Sequence, residues 1–129
     1  GGTALIIDYG ATDTILGDSF QAMRAQGYVD PLLTPGEADL TAHVKFSRLT
    51  EIAKRHGIAV HGPTSQGRFL ERLGIEARAS QLGRAASETQ KAEILSSLRR
   101  LTSAEEMGTL FKTLALSHNI QAPPEGFGE

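Results

Sequence analysis

An α/β fold is what the sequence predicts, on three observations. Residues 3–7 form a run that is apolar on both faces, the pattern of a strand covered on two sides in a mainly parallel sheet. Residues 90–101 carry Ile94, Leu95, Leu98 and Leu101 on one stripe at helical spacing. Two further strand candidates, residues 58–60 and residues 110–116 (LFKTLAL), come after the middle of the chain with helical sequence between them.

Taken in order, the first strand is closed by Asp8-Tyr9-Gly10, and residues 11–17 are small and polar, as in a loop. Residues 18–26 are expected as a short helix with Asp18 as N-cap and Gly27 as its stop. Pro31, Pro35 and Gly36 make residues 28–42 irregular. The clearest helix begins at Ser47, with Leu49, Ile52 and Ala53 on one face. Lys54, Arg55 and His56 fill its last turn, and Gly57 stands at its end. Gly62-Pro63 ends the strand at residues 58–60. Thr64 is placed to cap a helix carrying Phe69, Leu70 and Leu73, with Gly74 after it. Residues 77–86 are alanine-rich and read as helical, though Gly83 weakens the pattern. Ser103-Ala104-Glu105-Glu106 matches a capping box and starts one more turn. From Asn119 on, Pro123-Pro124, Gly126 and Gly128 mark a loose tail.

This inventory is short of strands. A doubly covered strand needs neighbours on both sides, and the chain offers only two others. Part of the sheet is therefore expected on chain upstream of Gly1, the alternative being a small self-contained α+β domain. A first residue that is glycine rather than methionine fits a fragment.

Composition sets the outer limits. With 129 residues, 40% apolar and 22% charged, the chain has the make-up of one globular domain or a piece of one. Its net charge of −2 argues against nucleic acid or an anionic membrane as partner. No run approaches the roughly 20 apolar residues of a membrane span. The absence of cysteine excludes disulfides and thiolate metal sites and suits a reducing compartment such as a cytoplasm. His56 reads as a favourable charge at a helix end, and His61 and His118 show no ligand spacing, so no metal site is expected.

The stretch ALIIDYGATDT superficially resembles the first phosphate loop of actin-like ATPases, with Asp8, Gly10, Thr12 and Thr14 as its polar set. That loop is the turn of a hairpin, yet ILGDSFQAMRAQG, which follows, has no alternating strand pattern. No second Asp-x-Gly loop occurs downstream. The Asp-x-Asp phosphatase motif is excluded because Gly10 stands at its second aspartate.

A broader similarity rests on five blocks in order: GGTALIIDYG, GDSFQAMR, PGEADLTAHVKF, GPTSQGRFLERLGI and MGTLFKTLAL. Together they resemble the C-terminal part of the MidA-like family of S-adenosylmethionine-dependent methyltransferases, relatives of a mitochondrial complex I assembly factor. The resemblance implies the C-terminal part of a class I, Rossmann-like, seven-stranded methyltransferase sheet. Gly1-Gly2 would end the turn into the fifth strand. Residues 58–60 and 110–116 would form the antiparallel last pair, with a helical insertion over about residues 64–102 between them and a tail from residue 119. The resemblance also implies S-adenosylmethionine as cofactor, held by an N-terminal half absent from this chain, with no cofactor-binding residue in the segment itself. The chain departs from the family at Ala11, where relatives often carry histidine, near Gln26, where they often carry another, and at Ser19 and Lys45, where they usually carry threonine and aspartate.

Methyl transfer from a sulfonium is an in-line displacement that needs an aligned nucleophile and a route for its proton. Asp8, at the carboxyl end of a parallel strand, lies where ligands bind in open α/β sheets; the alternative is a turn aspartate satisfied by nearby amides. Tyr9 is a candidate pocket wall or a cap on the sheet, and Gly10 permits a tight turn. Asp39, Thr41 and His43 alternate and would share one face of an extended segment, with local capping by Asp39 and Thr41 as the alternative. His43 is the candidate for proton handling because its ordinary pKa lies near neutrality; a structural histidine is the alternative. Gln66 begins a helix and either points into a cleft or merely follows a capping hydroxyl, while Gly67 lets backbone approach closely. The expected function is thus part of a methyltransferase acting on a protein side chain, with arginine suggested by the family, inactive without the other half. The rival is a partner-binding, assembly-factor module whose helical insertion docks another protein.

Overall fold

The computed structural model describes residues 1–12, 19–120 and 122–128. In chain order the elements are β1 (Gly2–Ala11), β2 (Gln21–Arg24), β3 (Gly27–Val29), β4 (Asp39–Thr41), β5 (Val44–Lys45), α1 (Phe46–Arg55), β6 (Ala59–Ser65), α2 (Gln66–Arg72), α3 (Ile75–Gly83), α4 (Glu88–Thr102), α5 (Met107–Leu110) and β7 (Phe111–His118). Among the described residues the strands make two sheets, one in the order β5-β1-β7-β6 and one in the order β3-β2-β4.

The spine of the larger sheet is β7, which has a strand on each side and supplies the fully buried Thr113, Leu114, Ala115 and Ser117. It runs antiparallel to β1 from Gly2↔His118 to Tyr9↔Phe111, and antiparallel to β6. Hydroxyls tucked into this layer find partners: Thr3 Oγ1 lies 2.9 Å from Ser117 Oγ, and Thr113 Oγ1 donates to the Thr64 carbonyl. Burial of Leu114 alone stabilises the fold by about 2 kcal/mol. Phe46 and Ala53 of α1 and Phe69 of α2 complete the buried apolar set of this part.

The expected strand at residues 3–7 is present but differently housed. Its long partner is the antiparallel β7, and its parallel pairing is confined to Gly10↔Val44 and Ala11↔Lys45 on β5. Leu5 and Ile7 remain 50% and 46% exposed, so the two-sided cover implied by the apolar run is not met within this chain. A residue pattern records how buried a strand is meant to be, and it carries no information on the direction of its neighbour.

Residues 21–24 form strand β2 rather than the second half of a helix, and Asp18, the expected cap, lies outside the described residues. The segment turns at Ala25 and Gln26, with φ of 48° and 64°, and returns as β3 with Arg24 opposite Gly27. Two consecutive left-handed residues are the signature of a tight two-residue hairpin, normally announced by Asn-Gly; here Ala-Gln holds the turn and hides it. The span expected to be irregular accordingly contains β3 and β4.

Several helix boundaries move as well. The N-cap of α1 is Lys45, so Ser47 is inside the helix and caps nothing. Gly57 and Gly74, with φ of 68° and 80°, do stand at the helix ends where left-handed geometry is needed. Strand β6 runs on through the cis Gly62–Pro63 peptide and a register shift to Ser65, which leaves Thr64 in the strand. The capping box sits at Ser87 and Gln90 at the start of α4; Ser103 ends that helix instead, with its hydroxyl buried and without a hydrogen-bond partner among the described residues. The tail expected to be loose folds back: Phe127 packs on Phe69 at 5.1 Å and near His61 at 6.5 Å, and Gly126 is buried.

Candidate functional site

At the carboxyl end of β1 lies an open cleft of about 440 Å³, lined among others by Gly10, Ala11, His43, Glu105, Glu106 and Lys112. Its construction starts at Gly10. A Cβ at that position would lie 2.2 Å from the Val44 carbonyl oxygen, well inside any permitted contact. Only glycine lets β5 come in parallel beside the end of β1. The role expected of Gly10, a turn conformation, is replaced by this close approach, and its φ is not positive.

The approach of β5 seats His43, two residues before Lys45, against Tyr9. Their rings meet edge to face at 5.6 Å, and Tyr9 meets Phe111 of β7 in the same manner at 5.8 Å. The His43 backbone N–H donates to Ser19 Oγ at 3.1 Å, which ties the segment down from the other side. Asp8 is half-buried, and its Oδ1 accepts the Tyr9 N–H at 2.8 Å, the local satisfaction expected of a turn carboxylate. It stands opposite Lys112 across the β1–β7 ladder, on the same sheet face. The Lys112 ammonium donates to the Thr109 carbonyl. On the far wall Glu106 pairs with Arg99 at 3.3 Å, while Glu105 is exposed.

Tyr9, Gly10 and His43 are thus brought together, with Asp8 adjoining. Asp39 and Thr41 are not in this group: both lie on β4, opposite Met23 and Gln21, and Asp39 is exposed there. The alternation through residues 39–43 is real as extended chain, but it crosses from one sheet to the other. Gln66 is buried, and its Nε2 donates to the Leu101 carbonyl at 3.0 Å, joining α2 to the end of α4. Beside it Gly67 does permit a close approach, since a Cβ there would lie 2.6 Å from the Thr102 carbonyl oxygen. The sequence reading passed over Glu105, Glu106 and Lys112 as site residues. The two glutamates carried a helix-start signal, and the only hint for Lys112 was a lone charge in an apolar strand.

No set of three or more potential metal ligands occurs among the described residues. Nor does the sequence contain a G-x-G-x-x-G turn of the kind that grips a nucleotide. Asp8 is engaged by the chain's own amide, and His43 lines the open cleft beside it.

Residues 1–64 match the family model described as "Putative S-adenosyl-L-methionine-dependent methyltransferase". The chain is 43% identical over 124 residues to the mitochondrial protein arginine methyltransferase NDUFAF7 homolog of Drosophila melanogaster, covering 95% of this chain and 28% of that protein. It is 36% identical over 117 residues to the human NDUFAF7 protein, covering 90% and 26%. Two solved structures from Burkholderia thailandensis superpose on 98% of the chain, at TM-scores of 0.86 and 0.78 with 31% and 30% identity. The chain covers 35% and 34% of them, and the second is bound to S-adenosyl-homocysteine. No helix among the described residues is long and apolar enough to cross a membrane. The chain spans about a quarter to a third of the length of these relatives, and it belongs to the MidA-like family of S-adenosylmethionine-dependent methyltransferases.

Proposed function

We propose that this chain supplies the acceptor side of a methyltransferase that modifies a protein side chain, arginine being favoured by the names of its relatives. The observation that carries the reading is the Gly10–Val44 approach, which seats His43 on Tyr9 at the carboxyl end of β1, where open α/β sheets bind ligands. In this reading β1, β7 and β6 are the far part of a seven-stranded sheet, and α2 to α5 are the insertion between its last two strands. The exposed Leu5 and Ile7 and the edge of β1 up to Tyr9 are where the remaining strands add. The cofactor supplies an electrophilic methyl group and is held chiefly by the remainder of the protein. On this chain, His43 takes the acceptor's proton, Tyr9 holds the imidazole, and Glu105 offers a carboxylate to orient a guanidinium. Asp8, Asp39, Thr41 and Gln66 then serve by shaping and tying the surrounding layers. Cytoplasmic placement in a bacterial cell remains part of the proposal, alongside relatives that carry mitochondrial names.

Equilibrium dialysis of labelled S-adenosylmethionine tests it, run on the full-length protein and on this chain. The expected result is binding by the full-length protein only, with His43→Ala leaving that binding intact and abolishing methylation of an arginine peptide. No binding by the full-length protein would remove the enzyme reading. Tight binding by this chain alone would overturn the division of labour. The rival reading, an assembly module that docks another protein, has one observation in its favour: the apolar groove between α3 and α4.

A further inference from the structure

Helices α3 and α4 are joined by residues 84–87 and pack on each other as a hairpin. Neither contains a fully buried residue. Instead of closing over a core, the hairpin leaves an open groove of about 660 Å³, floored by Ile75, Ala79 and Leu82 on one side and Ile94, Leu98 and Leu101 on the other. Leu82 is 46% exposed within it. The groove is lined mostly by apolar side chains and is open to solvent, so it can receive a complementary surface.

Two features decide what fits. The first is position. The hairpin joins the rest of the molecule through α2 and α5, and α2 lies against β6 and β7. Among the described residues the large sheet has unpaired backbone along the outer edge of β6 and along β1 up to Tyr9, the latter on the opposite side of β7 from β6. A strand added at the β1 edge would lie across β7 from the side of the sheet on which the hairpin is attached.

The second feature is charge. The lining holds two ionisable side chains of opposite sign on opposite walls, Arg78 on α3 and Glu93 on α4. The Arg78 guanidinium donates to the neutral Gln81 Oε1 at 3.3 Å, and neither Arg78 nor Glu93 has an ion-pair partner among the described residues. In a two-fold contact each surface meets its own copy, so a patch carrying both signs on opposite sides is self-complementary. Laying α3 of one copy along α4 of the other places Arg78 against the partner's Glu93, twice over, around a shared apolar floor.

We propose that the α3–α4 groove is a homodimer interface in which a second copy of this chain is the occupant. The footprint sets its strength. The fifteen-residue α4 is about 22 Å long, the nine-residue α3 about 14 Å, and each helix about 10 Å wide, so each copy offers roughly 360 Å². The total of about 700 Å² is well below the usual size of a stable complex. The dimer is therefore weak, dissociating in the micromolar range, and is independent of the catalytic reading above.

Sedimentation equilibrium of the chain between about 5 and about 200 µM tests this. The wild-type chain should shift from monomer to dimer across that range. Arg78→Glu or Glu93→Arg alone should weaken association at least about tenfold by opposing like charges, and the double charge swap should restore it. Leu82→Glu should dissociate the dimer by charging the floor. All three sites are exposed enough for folding to be retained, which circular-dichroism melts of the four variants verify. A wild-type chain that stays monomeric, a dimer indifferent to both reversals, or a double swap without rescue would each overturn the proposal.

Discussion

Replacing Gly10 with alanine puts a Cβ 2.2 Å from the Val44 carbonyl oxygen and 3.0 Å from its carbon. Backbone atoms cannot rotate out of the way as a side chain would, so β1 and β5 must separate by about 1 Å or more to restore ordinary contact. The parallel pairing of Gly10 with Val44 and Ala11 with Lys45 is then lost, with roughly two hydrogen bonds of about 1 kcal/mol each and part of the Tyr9–His43 contact. The expected loss is about 2–3 kcal/mol, a fall in Tm on the order of 8 °C for a chain of this size. Gly2→Ala in the same strand is the matched control, because nothing lies within 4 Å of a Cβ there. Urea denaturation of both variants measures the difference. Amide exchange at Val44, Lys45 and Phe46 shows whether protection is lost where β5 should detach. Equal stability of the two variants within about 0.5 kcal/mol, with β5 still protected, would refute the close-approach account of Gly10.

Other expectations follow from the same geometry. Phe127→Ala should destabilise the chain by about 2 kcal/mol in chemical denaturation, since its half-buried ring covers Phe69; an inert tail would give no change. Ser87→Ala removes the capping box of α4 and should cost about 1 kcal/mol. Ser103→Ala, which deletes a buried hydroxyl without a hydrogen-bond partner among the described residues, should be neutral or stabilising in the same assay. The Glu51 carboxyl is held below its ordinary pKa, first by the hydrogen bond from Arg48 and further by the charges of Arg48 and Arg55. Its contribution is therefore present above the unfolded-state pKa and disappears as pH falls through the lower folded-state value. A Glu51→Gln variant should melt slightly below wild type at neutral pH, with the gap closing in acid; a gap that widens on acidification would contradict the pairing.

By itself the sequence determined the elements whose evidence is local. The apolar runs at β1 and β7 and the stripe of α4 follow from side-chain periodicity, and the stops at Gly57 and Gly74 follow from the backbone freedom a helix end requires. The family likeness was legible too, because five blocks in order constrain far more than any one motif. What the tertiary structure decided lies in the contacts between distant residues. Gly10 reads as a turn glycine until Val44, thirty-four positions on, is laid against it. The β2–β3 turn at Ala25-Gln26 escapes detection because strand pairing, and not turn chemistry, holds those residues left-handed. His43 joins Tyr9 while Asp39 and Thr41 stay on another sheet, since alternation fixes only the face of a residue and never which strand comes beside it. Lys112 enters the cleft for the same reason, carried there by an antiparallel register with Asp8 that spans almost the whole chain. Periodicity is a property of neighbours along the chain. The cleft is assembled by pairing across it, and that depends on which backbones can approach.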